Sequence, residues 1–359
     1  MIDPHAHLRD WDQSKKETVK HGLKMAYRSG IDAVFEMPNT EPPLTSKETI
    51  EKRITFARKA QQELRDEGIN IFYGLYAGIT TNPKQIQEVV KAQEEILRVV
   101  GLKMYAGHST GNMGIIKEGE QKLVYSTLAK SGYRGILAVH CEKESLLNPK
   151  VWNAAEPFTH TLARPPESEV ESVKDQIRFA SEASYRGILH ICHVSVPESV
   201  SVIEMAQKQV GFKITCGATP HHCMLYDRMM EGEDGLLLKM NPPLRPKEMA
   251  ETLLNLLRDG KIDWIETDHA PHTLNEKTGK ALDKNGNPIY ASGIPVYPFY
   301  LNFLRKLHEK GISRPRLEEI THENASKMFR LSLPNRRSET FYELSGEYEA
   351  SPPFLETLK

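Results

Sequence analysis

Cysteine is scarce in this 359-residue sequence: there are four (Cys141, Cys192, Cys216 and Cys223), with no C-x-x-C spacing among them. That argues against a disulfide framework and for reduced, buried thiols. Cys141 and Cys192 each neighbour a candidate ligand histidine, but strand alternation is expected to turn both to the far face of their strands, into the core. An excess of one charge is missing as well. Against 47 Lys and Arg stand 48 Asp and Glu, a net charge of −1. Nothing in that balance suits nucleic acid or an anionic membrane surface. No apolar run approaches the roughly 20 residues that span a bilayer. The first residues lack the basic, apolar and small-residue succession of a secretory signal, so a cytoplasmic protein is expected. Nor does a G-x-G-x-x-G follow the first strand-like segment, as an open dinucleotide-binding sheet would require. What the chain does have, 39% hydrophobic and 26% charged residues, is the make-up of a globular protein with a substantial core.

Apolar runs and amphipathic stretches alternate along it. Strands are expected at 1–7, 31–37, 69–77, 99–105, 135–140, 187–194, 210–216 and 261–267. Helices are expected between them at 15–29, 46–67, 83–98, 119–131, 169–185 and 197–207, with a closing helix at 296–310. Eight such repeats predict an α/β fold, a parallel sheet closed into a (β/α)8 TIM barrel over residues 1–330, with 331–359 as a C-terminal arm. Two loops are long: 105–119, polar and glycine-rich, reads as a lid, and 273–293 as a turn-rich excursion after the eighth strand.

In such a barrel, catalytic groups sit where strands end. His5 and His7, two apart on an extended segment, point to one face and can share a divalent cation. Lys103, His140, His193 and Asp268 each stand at the end of an apolar run, in step with the strand–helix repeat. Four histidines, one carboxylate and one bridging anion suffice for two zinc ions with open positions for water. A lysine amine that reacts with carbon dioxide becomes such an anion, and two cations sharing a hydroxide make a nucleophile at neutral pH. Asp268 can bind one metal while moving a proton from that hydroxide to a leaving nitrogen.

Seven motifs then occur in order: Asp-x-His-x-His-Leu-Arg-Asp at 3–10, Met-Pro-Asn-Thr at 37–40, Leu-Lys-Met-Tyr at 102–105, Val-His-Cys-Glu at 139–142, His-Val-Ser at 193–195, Asn-Pro-Pro-Leu-Arg at 241–245 and Thr-Asp-His-Ala-Pro-His-Thr at 267–273. Together they resemble the dihydroorotases, cyclic amidohydrolases of the amidohydrolase superfamily, over roughly residues 1–330. The resemblance implies a barrel whose small β-sandwich is reduced or absent, or lost through a shortened start. It implies His5, His7 and Asp268 on one zinc, His140 and His193 on the other, and carboxylated Lys103 with a hydroxide bridging them. Arg9, Asn39 and His272 would hold the substrate carboxylate, and Asn241 and Gly293 would contact the ring. The implied reaction interconverts N-carbamoyl-L-aspartate and L-dihydroorotate, a small-molecule substrate, without nucleic acid or membrane. A homodimer is the default assembly. The alternatives are a hydantoinase, dihydropyrimidinase or allantoinase type of cyclic amidase, and an inactive dihydroorotase-like scaffold. Of the other histidines, His190 and the pair His221-His222 are expected to pack, His269 to support the site, and His108 to ride on the lid. Arg164 to Glu169 is expected to brace the site from outside. The loop 107–113 departs from the Thr-Thr lid of the short dihydroorotases.

Overall fold

Eight parallel strands follow one another round a single sheet in chain order: β1 (Ile2–Ala6), β2 (Ala33–Glu36), β3 (Phe72–Gly78), β4 (Val99–Ala106), β5 (Ile136–Cys141), β6 (Ile188–Ile191), β7 (Lys213–Ala218) and β8 (Trp264–Ile265). The computed structural model describes residues 1–109, 111–333 and 347–350. The seam between β8 and β1 is closed by Asp268 N donating to His5 O at 3.0 Å and His7 N to His269 O at 2.8 Å. The sheet is thus the expected barrel, and among the described residues every strand belongs to it.

The crossover helices start where local chemistry tells them to. Ser46 and Thr49 form a capping box ahead of α2 (Lys47–Asp66), the second helix after α1 (Val19–Arg28), and Asn82 caps α3 (Pro83–Glu95), whose first residue is proline. Ile50, Ile54, Ala57 and Leu64 give α2 its buried stripe. Next come α4 (Glu118–Lys130), the short α5 (Thr159–Ala163), α6 (Pro166–Glu182), α7 (Pro197–Gln207), α8 (Pro220–Met224) and α9 (Lys247–Arg258). The sequence reading passed over α9, although Ala250, Leu253, Leu254 and Leu257 are buried at helical spacing. It also drew β8 too long, at seven residues. The Asp263 carboxylate accepts the Cys216 N–H at 2.9 Å, so a side chain does the pairing just before the strand, and at Asp268 the backbone turns left-handed.

The large apolar core lies between strands and helices, and a smaller one fills the barrel's lower end, where Ile2, Phe35, Tyr76, Ala138 and Cys192 meet. Phe329 closes that end, its ring 4.6 Å from Phe35 and 5.9 Å from Trp264. No described helix is long and apolar enough to cross a membrane. The expected arm at 331–359 lies mostly outside the described residues. Within it Tyr348 and Ala350 are buried, and the Tyr348 hydroxyl donates to Glu17.

Candidate active site

The upper mouth of the barrel brings together residues far apart in sequence. His5, His7, Arg9, Asn39, His140, His193, Asn241, Asp268 and Gly293 line one cavity, joined by Tyr105, Ser109, Ala270 and Ser292. His5 lies in β1 between Asp3 and Ala6, where the strand's register shifts, and it lines the cavity together with His7. Three cavity residues hold left-handed backbone without being glycine: Arg9 (φ 56°), His193 (φ 36°) and Asp268 (φ 46°). Each such residue is disfavoured by roughly 1–2 kcal/mol, strain that the surrounding structure must hold in place.

Two sets of donor atoms converge. His5 Nε2 and His7 Nε2 lie 3.4 and 3.0 Å from the same Asp268 oxygen. Across the cavity, His140 Nδ1 lies 3.2 Å from His193 Nε2. Behind these atoms the rings are anchored. His7 Nδ1 meets Asn39 Oδ1 at 2.7 Å, and His140 Nε2 meets the Glu142 carboxylate at 3.0 Å. A back-side N–H donated in this way leaves the front nitrogen as a lone pair, the tautomer a metal requires. Electrostatics agree at His7 and His193, and oppose at His5. Burial lowers the His7 pKa to about 4 and pushes that of His193 well below the usual imidazole range. Burial also works against ionisation of Asp268, but the bond from His7 and the charges of His5 and His7 hold its carboxyl well below the usual carboxylate range. For His5, burial and Lys103 act to lower the pKa, yet Cys192, Glu266 and Asp268 raise it to about 10. The ligand atoms of His5, His7 and Asp268 all lie within 4.8 Å of one another, a set that can hold a divalent cation.

Lys103 and His272 do not line the cavity. The Lys103 amine, fully buried, lies 3.1 Å from Cys192 Sγ, and among the described residues no carboxylate is within ion-pair distance of it. His272 stands behind Arg9, its Nε2 3.1 Å from the guanidinium and 3.1 Å from Ser292 O. Burial, with the Arg9 charge beside it, keeps this imidazole neutral. The Arg9 Nε donates to Pro271 O at 3.1 Å, so the strand-eight loop fixes the guanidinium in place. Gly293 has φ 139°, and a Cβ there would lie 2.7 Å from Ala270 O, so only glycine brings this backbone to the cavity wall.

Cys192 is a core residue, as expected, but it faces the inside of the barrel, not its outer side. His193 lies past the end of β6 with left-handed backbone, so alternation counted back from it fails. Both His190 and Cys192 face the barrel interior. His190 is packed, as expected: it stacks on Trp264 at 4.5 Å and bonds Thr215 and Glu266. Cys141 does point into the outer core.

Glu266 was missed. It sits below the histidines, 3.4 Å from His5 Nδ1 and 2.9 Å from His190 Nε2, and it accepts the His193 N–H at 2.5 Å. Its place two residues before Asp268, on the same strand face, was the available signal. Gly217 makes room for it, since a Cβ there would lie 2.5 Å from the carboxylate. Glu142, in the Val-His-Cys-Glu motif, backs His140. Arg164 forks onto that carboxylate, which confirms Arg164 as a brace, and Glu169 collects Ser195, Val196 and Ser199 at the base of the His193 loop. His269 is buried between Glu17 and Tyr297, while His108 is tied to Glu144 at 2.8 Å, outside the cavity. His222 is bonded to Thr219 and to Pro242 O.

No protein-family model matches the chain. A dihydroorotase of Thermococcus kodakarensis is 30% identical over 364 aligned residues, which take in 98% of this chain and 74% of that protein. The chain belongs to the dihydroorotase family of cyclic amidohydrolases. A dihydroorotase of Lactiplantibacillus plantarum is 35% identical over 282 residues, covering 78% of this chain. The chain spans 61% of that relative's length. Among solved structures, an L-hydantoinase (dihydropyrimidinase) from Arthrobacter aurescens superposes with a TM-score of 0.77 at 26% identity, over 92% of this chain and 70% of that one. A dihydroorotase from Saccharomyces cerevisiae in complex with 5-fluoroorotic acid superposes with a TM-score of 0.69 at 16% identity, over 92% and 84%, a likeness of fold.

Proposed function

We propose that the chain is a zinc-dependent dihydroorotase, interconverting L-dihydroorotate and N-carbamoyl-L-aspartate. The observation that carries this reading is Arg9 and Asn39 on the wall of the cavity that four histidines and Asp268 also line. A buried guanidinium suits a ring that bears a carboxylate; hydantoin, dihydrouracil and allantoin bear none.

His5, His7 and Asp268 would hold one cation, His140 and His193 the other, and Lys103 both, once its amine carries a carboxylate. Bound there, the cations would bring the pKa of a water toward neutrality and polarise the ring amide carbonyl. Asp268, ionised, takes the proton of the attacking water and delivers it to the leaving ring nitrogen. Arg9 forks onto the substrate carboxylate and the Asn39 amide adds a donor, so the scissile amide is presented to Asp268. Asn241 and the Gly293 backbone flank the ring. His272 serves the carboxylate through Arg9, which it backs at 3.1 Å. In this reading residues 1–330 are the hydrolase barrel, 331–359 an arm, and 105–119 a lid that brings Ser109 to the cavity. The protein works in the cytoplasm as a homodimer.

A second reading, a cyclic amidase for uncharged rings, is favoured by the likeness to the L-hydantoinase. Turnover of dihydroorotate, dihydrouracil, hydantoin and allantoin by the zinc-loaded protein separates the two. Dihydroorotate alone should react, with about two metals per chain. Faster turnover of an uncharged ring would replace the first reading with the second.

A further inference from the structure

Arg9 is the first of three successive non-glycine residues with left-handed backbone, followed by Asp10 (φ 62°) and Trp11 (φ 51°). Such a run does not hold itself. Asp10 fastens one side, accepting the Trp11 and Val19 N–H groups at 2.8 and 2.7 Å. The other side is held from outside the barrel wall, by Arg53 of α2. Its Nη2 donates to the Arg9 carbonyl at 2.7 Å, and its guanidinium lies 4.7 Å from the centre of the Trp11 ring. One side chain thus grips both ends of the run. Arg53 is itself fixed: Nε and Nη2 fork onto Glu36 at 2.8 and 2.5 Å, and the Tyr73 hydroxyl donates to the same carboxylate at 2.5 Å.

All three are fully buried, and Arg53 Nη1 finds no partner. A buried ion pair of this kind is a poor way to gain stability, because apolar side chains of similar volume do as well or better. What they could not do is bond the Arg9 carbonyl. We infer that Arg53, held by Glu36 and Tyr73, is a positioning residue for substrate binding: it keeps Arg9–Trp11 left-handed, and so sets the affinity for carboxylate-bearing rings without touching them. The inference rests on Arg9 being the carboxylate clamp.

The test is a double-mutant cycle on the zinc-loaded protein, read as KM and kcat for dihydroorotate and, independently of turnover, as the dissociation constant of orotate by calorimetry. The triple change Glu36→Leu/Arg53→Met/Tyr73→Phe removes the network without leaving a buried charge unpaired, and the one group it deprives of a donor is the Arg9 carbonyl. We expect its metal content to stay at the parental level, kcat to hold within about threefold, and KM and the orotate constant to rise about tenfold. On an Arg9→Ala background the same change should add nothing, since both act through one clamp. Arg53→Lys, which keeps the charge but loses the fork, should fall between, and it serves if the triple variant does not fold. Unchanged affinity in these variants, or an equal loss with and without Arg9, overturns the positioning role. If Arg9→Ala itself leaves orotate binding unchanged, the clamp fails and this inference with it. If Arg9→Ala weakens binding while the Arg53 variants do not, the clamp stands and only the inference fails.

Discussion

Lys103 is the residue on which the metal reading turns. It is fully buried and does not line the cavity, and a thiol lies 3.1 Å from its amine. After burial itself, its charge is the next influence lowering the pKa of His5; it also acts on His193, so it reaches one histidine of each pair. An ammonium there opposes cation binding, whereas a carbamate would serve both sites. Lys103→Ala should therefore lose at least one of the two metals and most activity. The check is metal counted per chain by mass spectrometry, and full occupancy in that variant would remove the bridge from the mechanism.

At the scale of elements, the site depends on how strands end. β1 carries a register shift, the backbone is left-handed at Arg9, His193 and Asp268, and at His193 this breaks the alternation that His190 and Cys192 follow. Supporting side chains then hold the rings. Glu142, at the end of β5, is held well below the usual carboxylate range: burial opposes its ionisation, but Arg164 and His140 outweigh it. Its charge keeps the His140 N–H turned outward and the lone pair inward. Glu142→Gln should loosen the cation at His140 and His193 about tenfold or more, while leaving the other cation in place. Competition with a chelator, followed by metal analysis, reads the two affinities apart, and equal retention of both would show that Glu142 does not orient the ring.

Across the whole molecule, the residues at 347–350 return to the start of the chain. Tyr348, His21 and His269 surround the Glu17 carboxylate, and although burial raises its pKa, these partners bring it from 4.5 to about 2. A carboxyl depressed in the folded state adds stability above its unfolded pKa and loses it as pH falls through the folded value. Stability should thus decline on acidification from about pH 5 toward pH 2, and Glu17→Gln should flatten that decline while lowering stability at pH 7. Urea midpoints at stepped pH measure this. A slope identical to wild type would mean that Glu17 is not among the groups that titrate on unfolding.

The barrel, the order of its strands and the positions of the chemistry-bearing residues at strand ends were legible in the sequence, because hydrophobic period and cap signals are local. So were His5, His7, His140, His193, Asp268, Arg9 and Asn39, which fall at strand ends and gather round one cavity. What only the tertiary structure decided are the features that local pattern cannot carry. Cys192 joins Lys103 inside the barrel in phase with His190 while His193 leaves that phase, Glu266 fits because Gly217 on the neighbouring strand lacks a side chain, and His272 backs Arg9 instead of lining the cavity. The network from Glu36 through Arg53 to Arg9 belongs with them, since it joins β2, β3 and α2 to the loop after β1. Each of these depends on which strand lies beside which and on where the backbone turns left-handed, and both are set by long-range packing.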